Sequence, residues 1–225
     1  MSEPGAGTDV FGLNTSARSV DDGYLLNGQK MWITNGAIDD ETLGDVFLVY
    51  ARMDGAKSKE LSMFIVEKGM PGFSLGQRIK DKLGMRASST AELVFTDCFV
   101  PNKNLVGMEG EAVLHMMRNL ELERLTLAAM SVGIARRSIE IMNQYANERT
   151  AFGKSLNHFG QVQAHIAESY AEYMAGRSYV YQFANQLQLE GSGTRLDSDG
   201  VKLYCAKMGK EVADRAIQVL SLIHI

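Results

Sequence analysis

The chain has 225 residues, enough for one large domain or two modest ones with a real core. A hydrophobic fraction of 45% with 22% charged residues fits a globular protein, and a net charge of −4 argues against a nucleic-acid surface or a polybasic membrane face. No window approaches the roughly eighteen apolar residues of a membrane span. Cys98 and Cys205 stand alone without redox or metal spacing, which points to a reducing compartment. His158 and His165 could share a helix face, but two residues do not make a metal centre, so no metal site is expected. No signal or transit segment is visible ahead of the opening glycine-rich turn.

Taken in chain order, "MSEPGAGTDV" starts on that turn, and short β-rich runs follow: "YLLNGQKMWIT", "DVFLVYAR", "LSMFIVEK", "GFSLGQRI" and "TAELVFTDCFV". Asn27 and Gly28 read as a hairpin turn, since both tolerate positive φ. The three prolines, Pro4, Pro71 and Pro101, fall at run edges in this half. Near residue 105 the period changes. A long stretch from Glu111, rich in Leu, Met, Ala, Glu and Arg, reads as the first helix. On it Leu122, Leu125, Ala129 and Val132 form an apolar face, with Glu123 roughly 100° away at its margin. A second helix fits residues 161–191, with Val162, Ile166, Tyr170 and Tyr173 as its stripe. A third fits 197–220, with Val201, Cys205, Met208 and Val212 inward. The expected fold is therefore α+β: an antiparallel β-domain over 1–104, then an antiparallel helical bundle over 105–225.

Chemistry is sparse by motif alone. There is no P-loop, no dinucleotide fingerprint in a strand–turn–helix setting and no readable Ser-His-Asp order. Glu121, Glu123 and Arg124 stand out inside the apolar "NLELERLTLAA". Three helix-surface charges are the bland explanation. A carboxylate desolvated at the edge of an apolar face, with a raised pKa suited to a general base, is the functional one. Trp32, the only tryptophan, raises a similar choice between core residue and platform for a flat ligand.

Five strings in register, "MSEPGAGTDV", "LNGQKMWITNG", "FIVEKGMPGF", "KLGMRASSTAELVFTDCFVP" and "ERTAFGKSL", resemble the acyl-CoA dehydrogenases. The resemblance runs from residue 1 to about 220 and implies the central β-domain and most of the C-terminal bundle. It also implies that an N-terminal helical domain, the strand before "MSEP" and the segment after "RAIQVL" lie outside this sequence. It implies FAD as cofactor, with residues 1–8, Met1 and Ser2 among them, wrapping flavin and pyrophosphate, and Trp32, Ile33 and Thr34 against the isoalloxazine. Thr8 would reach both FAD and the CoA chain, Tyr50 and Ala51 the acyl-CoA channel, and Glu121 and Arg124 the substrate. Arg149 would reach the FAD of a neighbouring subunit in a homotetramer.

In most of the family the catalytic glutamate lies near the C-terminus. An isovaleryl-CoA-like branch is similar to this chain in placing it in the "LER" of the first bundle helix, which implies Glu123 as the base. The implied activity is α,β-dehydrogenation of a short or branched acyl-CoA in fatty acid or branched-chain amino acid catabolism. Electrons would pass to electron-transfer flavoprotein, with no nucleic-acid or membrane partner. The implied location is the mitochondrial matrix in a eukaryote and the cytoplasm in a bacterium. An oxidase using oxygen and a non-catalytic scaffold of the same fold are the alternatives. Two positions depart from the family pattern. Gly160 replaces a glutamine expected near FAD, leaving Gln161 and Gln163 as substitutes, and Leu114 stands where isovaleryl enzymes carry an aromatic substrate contact.

Overall fold

The computed structural model describes residues 1–55, 60–188 and 195–224, and it divides into two units, Met1–Met116 and Met117–Ile225. The first unit is built on a sheet whose strands are β1 (Ser16–Val20), β2 (Gly23–Thr34), β3 (Val46–Met53), β4 (Leu61–Glu67), β5 (Phe73–Arg78), β6 (Thr90–Pro101) and β7 (Leu105–Val106). Their order across the sheet is β5-β6-β2-β1-β3-β4-β7. Neighbours are antiparallel except β1 and β3, which run parallel through the pairs Ser16–Arg52 and Ala17–Met53. The expected β-domain is thus present with one parallel pair, and β1 and β7 were not legible as separate runs.

Alternation explains which face is inside. On β6, Ala91, Leu93 and Phe95 are buried, then the phase shifts and Cys98 and Val100 are buried instead. The shift is a β-bulge. Leu26 pairs with Cys98 and Gly28 with Phe95, so Asn27 alone faces both Thr96 and Asp97. Asp97 takes a φ of 45°, and its N–H donates to Asn27 Oδ1 at 2.8 Å. Asn27 and Gly28 therefore lie inside a strand and do not form the hairpin turn expected of them. The hairpin is made by Asp21 and Asp22, since Val20 pairs with Gly23 and Asp22 takes a φ of 65°. Gly28 is needed for a different reason: its φ is 141°, and a Cβ there would lie 2.7 Å from Thr15 Cα.

The inward side chains close into a core that includes Leu26, Phe47, Val49, Phe64, Val66 and Val100, with Phe73 and Phe95 stacked at 5.0 Å.

In the second unit, α1 (Ala112–Glu148, beginning in the first unit) is followed by the small hairpin β8 (Thr150–Ala151) and β9 (Lys154–Ser155), then α2 (Gly160–Gln186) and α3 (Arg195–Leu220). The expected second helix ends earlier than read: residues 189–191 lie outside the described residues. Contacts fix the helix directions. Glu172 pairs with Arg215 and Cys205 Sγ sits 3.7 Å from Gly176 O, so α2 and α3 are antiparallel. Arg124 pairs with Asp199, and a Cβ on Gly209 would lie 3.2 Å from Ser131, so α1 and α3 run together. At Gly176 a Cβ would meet Met208 Cε at 2.9 Å, so glycine permits this close helix approach.

Val201, Cys205, Met208 and Val212 are buried as expected. Two other stripes are corrected. On α1 the inward row is Leu125, Ala128, Val132, Ala135, Ile139 and Met142, a strict three–four spacing that leaves Ala129 exposed. On α2, Tyr170 is exposed and Ser169 occupies the buried position beside Ile166 and Tyr173.

Candidate functional site

The opening turn is pinned to β2 by a buried ion pair. Lys30 Nζ lies 2.7 Å from Glu3 Oε1, and both side chains are almost fully enclosed. Glu3 also accepts from the backbone N–H of Asn14 at 2.6 Å, and from the N–H and hydroxyl of Thr15 at 3.0 and 2.6 Å. Burial alone would raise the Glu3 pKa, but these hydrogen bonds and the Lys30 ammonium outweigh it and hold the carboxyl below its ordinary value. Burial pulls Lys30 below the usual lysine range, with Glu3 acting against that shift. Ser2 O accepts from the Met31 N–H at 2.9 Å, and Glu3 and Ala6 exchange backbone hydrogen bonds at 2.8 and 3.2 Å. Residues 1–8 are thereby held against the strand that carries Trp32, with Thr8 exposed.

Trp32 itself sits in a second bulge. Lys30 pairs with Leu93 and Ile33 with Ala91, so Met31 and Trp32 together oppose Glu92. On the other side of β6, Leu75 pairs with Leu93 and Arg78 with Ala91, so Gly76 and Gln77 also oppose Glu92. The sheet is bulged on both sides of one residue. Trp32 takes a φ of 61°, uncommon for a bulky residue, and its indole is 56% exposed. It is not a core residue. Thr34 is exposed beside it, while Ile33 packs against the core, and the Asn35 N–H donates to Ser89 O at 2.9 Å to close the strand end. An indole face and a hydroxyl thus stand free on one bulged strand end, a donor set suited to a flat heteroaromatic ring.

Tyr50 and Ala51 lie on β3, which is separated from β2 by β1. Ala51 points into the core cluster and is fully enclosed, and Tyr50 is buried opposite Met63. Neither side chain presents an open surface in this unit.

In the second unit Glu121, Glu123 and Arg124 share one turn of α1. Glu121, not Glu123, is the buried member, placed seven residues before Ala128 on the inward row. Its carboxylate accepts from Arg118 at 2.9 Å, and its carbonyl from Ser198 Oγ at 3.2 Å. Glu123 lies two residues on, roughly 200° around the helix, and is exposed in this unit. The expected desolvation of Glu123 by its own helix face is therefore absent, because that face is set one position differently. Arg124 is held through Nε by Asp199 at 2.9 Å. Arg149 is exposed just beyond α1, with its carbonyl accepting from the Leu156 N–H at 2.9 Å. Gly160 opens α2, and the nearby Gln163 amide donates to Asn157 O at 2.8 Å. Leu114 is exposed.

Sequence reasoning missed the Glu3–Lys30 pair, the bulge at Trp32 and the Asp199 partner. Only the first had a signal: Lys30 occupies an inward phase of a strand, where a lysine is kept only if paired.

Residues 1–98 match the family model "Acyl-CoA dehydrogenase, middle domain", and residues 113–222 match "Acyl-CoA dehydrogenase, C-terminal domain". The chain belongs to the acyl-CoA dehydrogenase family. Within it, the chain is similar to the mitochondrial isovaleryl-CoA dehydrogenase of Oryza sativa subsp. japonica, at 44% identity over 221 residues, covering 98% of this chain and 52% of that protein. The chain thus spans about half the length of the curated relatives it matches. An acyl-CoA dehydrogenase crystal structure from Geobacillus kaustophilus superposes with a TM-score of 0.92 at 34% identity, covering 99% of this chain and 58% of the other. A chain from a structural study of the electron transferring flavoprotein of Acidaminococcus fermentans gives a TM-score of 0.90 at 37% identity, covering 99% and 57%. Among the described residues no helix is long and apolar enough to cross a membrane, and no group of metal-ligating side chains is assembled.

Proposed function

We propose that this chain is the flavin- and acyl-CoA-binding part of an FAD-dependent acyl-CoA dehydrogenase acting on a short or branched acyl thioester. The observation that carries the reading is the strand end of β2, where the bulge turns Trp32 out of the core beside the exposed Thr34. Trp32, Ile33 and Thr34 would hold the isoalloxazine, with the Thr34 hydroxyl able to donate to the ring. The turn over Met1, Ser2 and Thr8, held rigid by Glu3 and Lys30, would approach the cofactor through its backbone. When bound, FAD supplies the acceptor for the hydride that leaves the substrate β-carbon.

Glu123 is the base that takes the α-proton, a role worth about 10²–10⁴-fold in rate. Its exposure leaves the carboxylate free to meet a substrate. Glu121 and Arg124 flank it, and Asp199 fixes the Arg124 guanidinium in place for an anionic CoA group. Tyr50 and Ala51 would line the acyl-CoA channel only through surfaces that this unit does not leave open. Arg149 would serve FAD in a neighbouring subunit of a homotetramer, and electrons would pass to electron-transfer flavoprotein, a reading supported by the match to the Acidaminococcus chain.

The single tryptophan gives a direct test. Titration with FAD should quench Trp32 emission and flavin emission together, and FMN should do so less well because it lacks the adenylate. Unchanged Trp32 emission at saturating FAD would remove the flavin assignment. The full-length enzyme should then pass electrons from isovaleryl-CoA to an added artificial dye acceptor, with little oxygen consumed. Rapid oxygen uptake without added acceptor would replace the dehydrogenase reading by an oxidase, and flavin binding without any turnover would leave a scaffold.

A further inference from the structure

Away from the residues assigned above, the turn between β5 and β6 encloses a cavity of about 340 Å³ lined by Arg78, Lys80, Asp81, Lys82, Arg86 and Ser88. Four cations thus line one concave surface in a chain whose net charge is −4. Each has a hydrogen-bond partner within the protein. Lys82 Nζ donates to Ser88 O at 2.6 Å and to Thr90 Oγ1 at 2.8 Å, both neutral acceptors. Arg86 Nε donates to Lys82 O at 3.1 Å. Arg78 and Lys80 share one carboxylate, Asp40, at 3.3 and 2.7 Å. Asp40 and Asp81 oppose the four cations, and the Asp39 carboxylate beside them is occupied by the N–H groups of Glu41 and Thr42. The hydrogen bonds of Lys82 and Arg86 described above go to neutral acceptors, so no carboxylate offsets their charge through them.

We propose that this cavity binds a phosphoryl dianion, either free phosphate or a terminal phosphate monoester. Guanidinium and ammonium donors converging on one concave surface suit a compact dianion, which several charge-assisted hydrogen bonds can hold together. Its distance from the flavin strand is short in the fold: Lys82 bonds to Thr90, and Thr90 pairs with Thr34. Occupancy would therefore be felt at the strand end that carries Trp32.

The test is a titration of the apo chain with inorganic phosphate, followed by ³¹P line broadening and Trp32 emission, against chloride at matched ionic strength. Adenosine 5′-monophosphate and adenosine form the second pair of probes. Phosphate should bind where chloride does not. Equal affinity for the nucleotide marks free phosphate as sufficient, tighter nucleotide binding marks a monoester, and both support the site. Arg86→Gln and Lys80→Gln should each weaken phosphate by about tenfold, whereas Lys103→Gln on another surface should not. An effect reproduced by chloride overturns the proposal, as does unchanged affinity in both cavity variants. Loss of phosphate binding in Arg124→Gln or Arg149→Gln, with the cavity variants unaffected, would place the anion in the cofactor and substrate site and also overturn it. None of these outcomes depends on whether FAD binds.

Discussion

Glu3 and Lys30, twenty-seven positions apart, meet as a buried ion pair at 2.7 Å and fasten the first turn of the chain to the middle of β2. The pair matters because the same strand, two residues later, bulges to expose Trp32. Removing one partner leaves the other charge enclosed without compensation. Glu3→Gln or Lys30→Met alone should therefore cost about 3–5 kcal/mol, and the double variant much less than the sum. Urea denaturation of the four proteins measures this directly, and additive losses would show that the two groups act independently.

The same pair predicts an acid limb. The Glu3 carboxyl lies below its ordinary value of 4.5 in the folded state. Its contribution is therefore complete above that value and is lost as pH falls through the folded value. Lys30 has the same slope in a different range: its folded value lies below the ordinary 10.5, so the cost of enclosing its charge is relieved only as pH rises toward 10.5, outside the acid window. Stability measured from pH 7 to 3 should fall more steeply in the parent chain than in Glu3→Gln. Parallel curves would assign the acid loss to other carboxylates.

Each unit carries one enclosed thiol. Burial pushes Cys98 and Cys205 up to about 11, so neither offers much thiolate near neutral pH. Iodoacetamide should leave both unmodified in the native protein, and each should react as its own unit opens. Peptide mapping across a urea series then yields separate midpoints for the sheet and the helices, where one whole-protein midpoint would conceal two transitions. Rapid native labelling of either residue would contradict its burial.

Gly28 supplies a local test within the sheet. Gly28→Ala must accommodate a φ of 141° and a Cβ 2.7 Å from Thr15 Cα, both unfavourable. A loss of about 2–4 kcal/mol is expected, read as earlier Cys98 labelling with the Cys205 midpoint unchanged. Gly5→Ala, with open space around its Cβ, should move neither midpoint much.

Much of the fold was legible because period carries it. Alternation located β2 to β6, and helical spacing found α1, α2 and α3, with the α3 stripe read residue by residue. What alternation cannot show is where it slips. Asn27 and Gly28 look like a turn because their intrinsic preference is for positive φ, and only pairing with β6 shows that a bulge lies opposite them. The α1 face was misplaced for a related reason: with Leu at 120, 122, 125 and 127, several faces are equally apolar in sequence, and packing against α2 and α3 selects one. At the site, the residues alone left Trp32 open between core and ligand platform, and the register shift that exposes it has no signature in the alternation. Asp199, seventy-five residues from Arg124, had no local signature at all.

The last prediction concerns Glu123 in the full-length enzyme. Glu123→Gln preserves the shape of the side chain and removes the proton acceptor. Since Glu123 is exposed and its carbonyl, not its carboxylate, holds Thr126 Oγ1 at 2.8 Å, the substitution should leave folding intact. Binding of acyl-CoA should persist, because the CoA contacts assigned to Thr8 and Arg124 do not use that carboxylate. Flavin bleaching on mixing with substrate should slow by about 10²–10⁴-fold, the loss expected when general-base assistance is removed. Glu123→Asp keeps the carboxylate but withdraws it by about one methylene, so an intermediate rate follows. Glu121→Gln gives the contrast: Glu121 is buried against Arg118, so its loss should lower stability before it lowers rate. Parental bleaching in Glu123→Gln would move the base elsewhere and return Glu123 to a solvated charge on the outer face of α1.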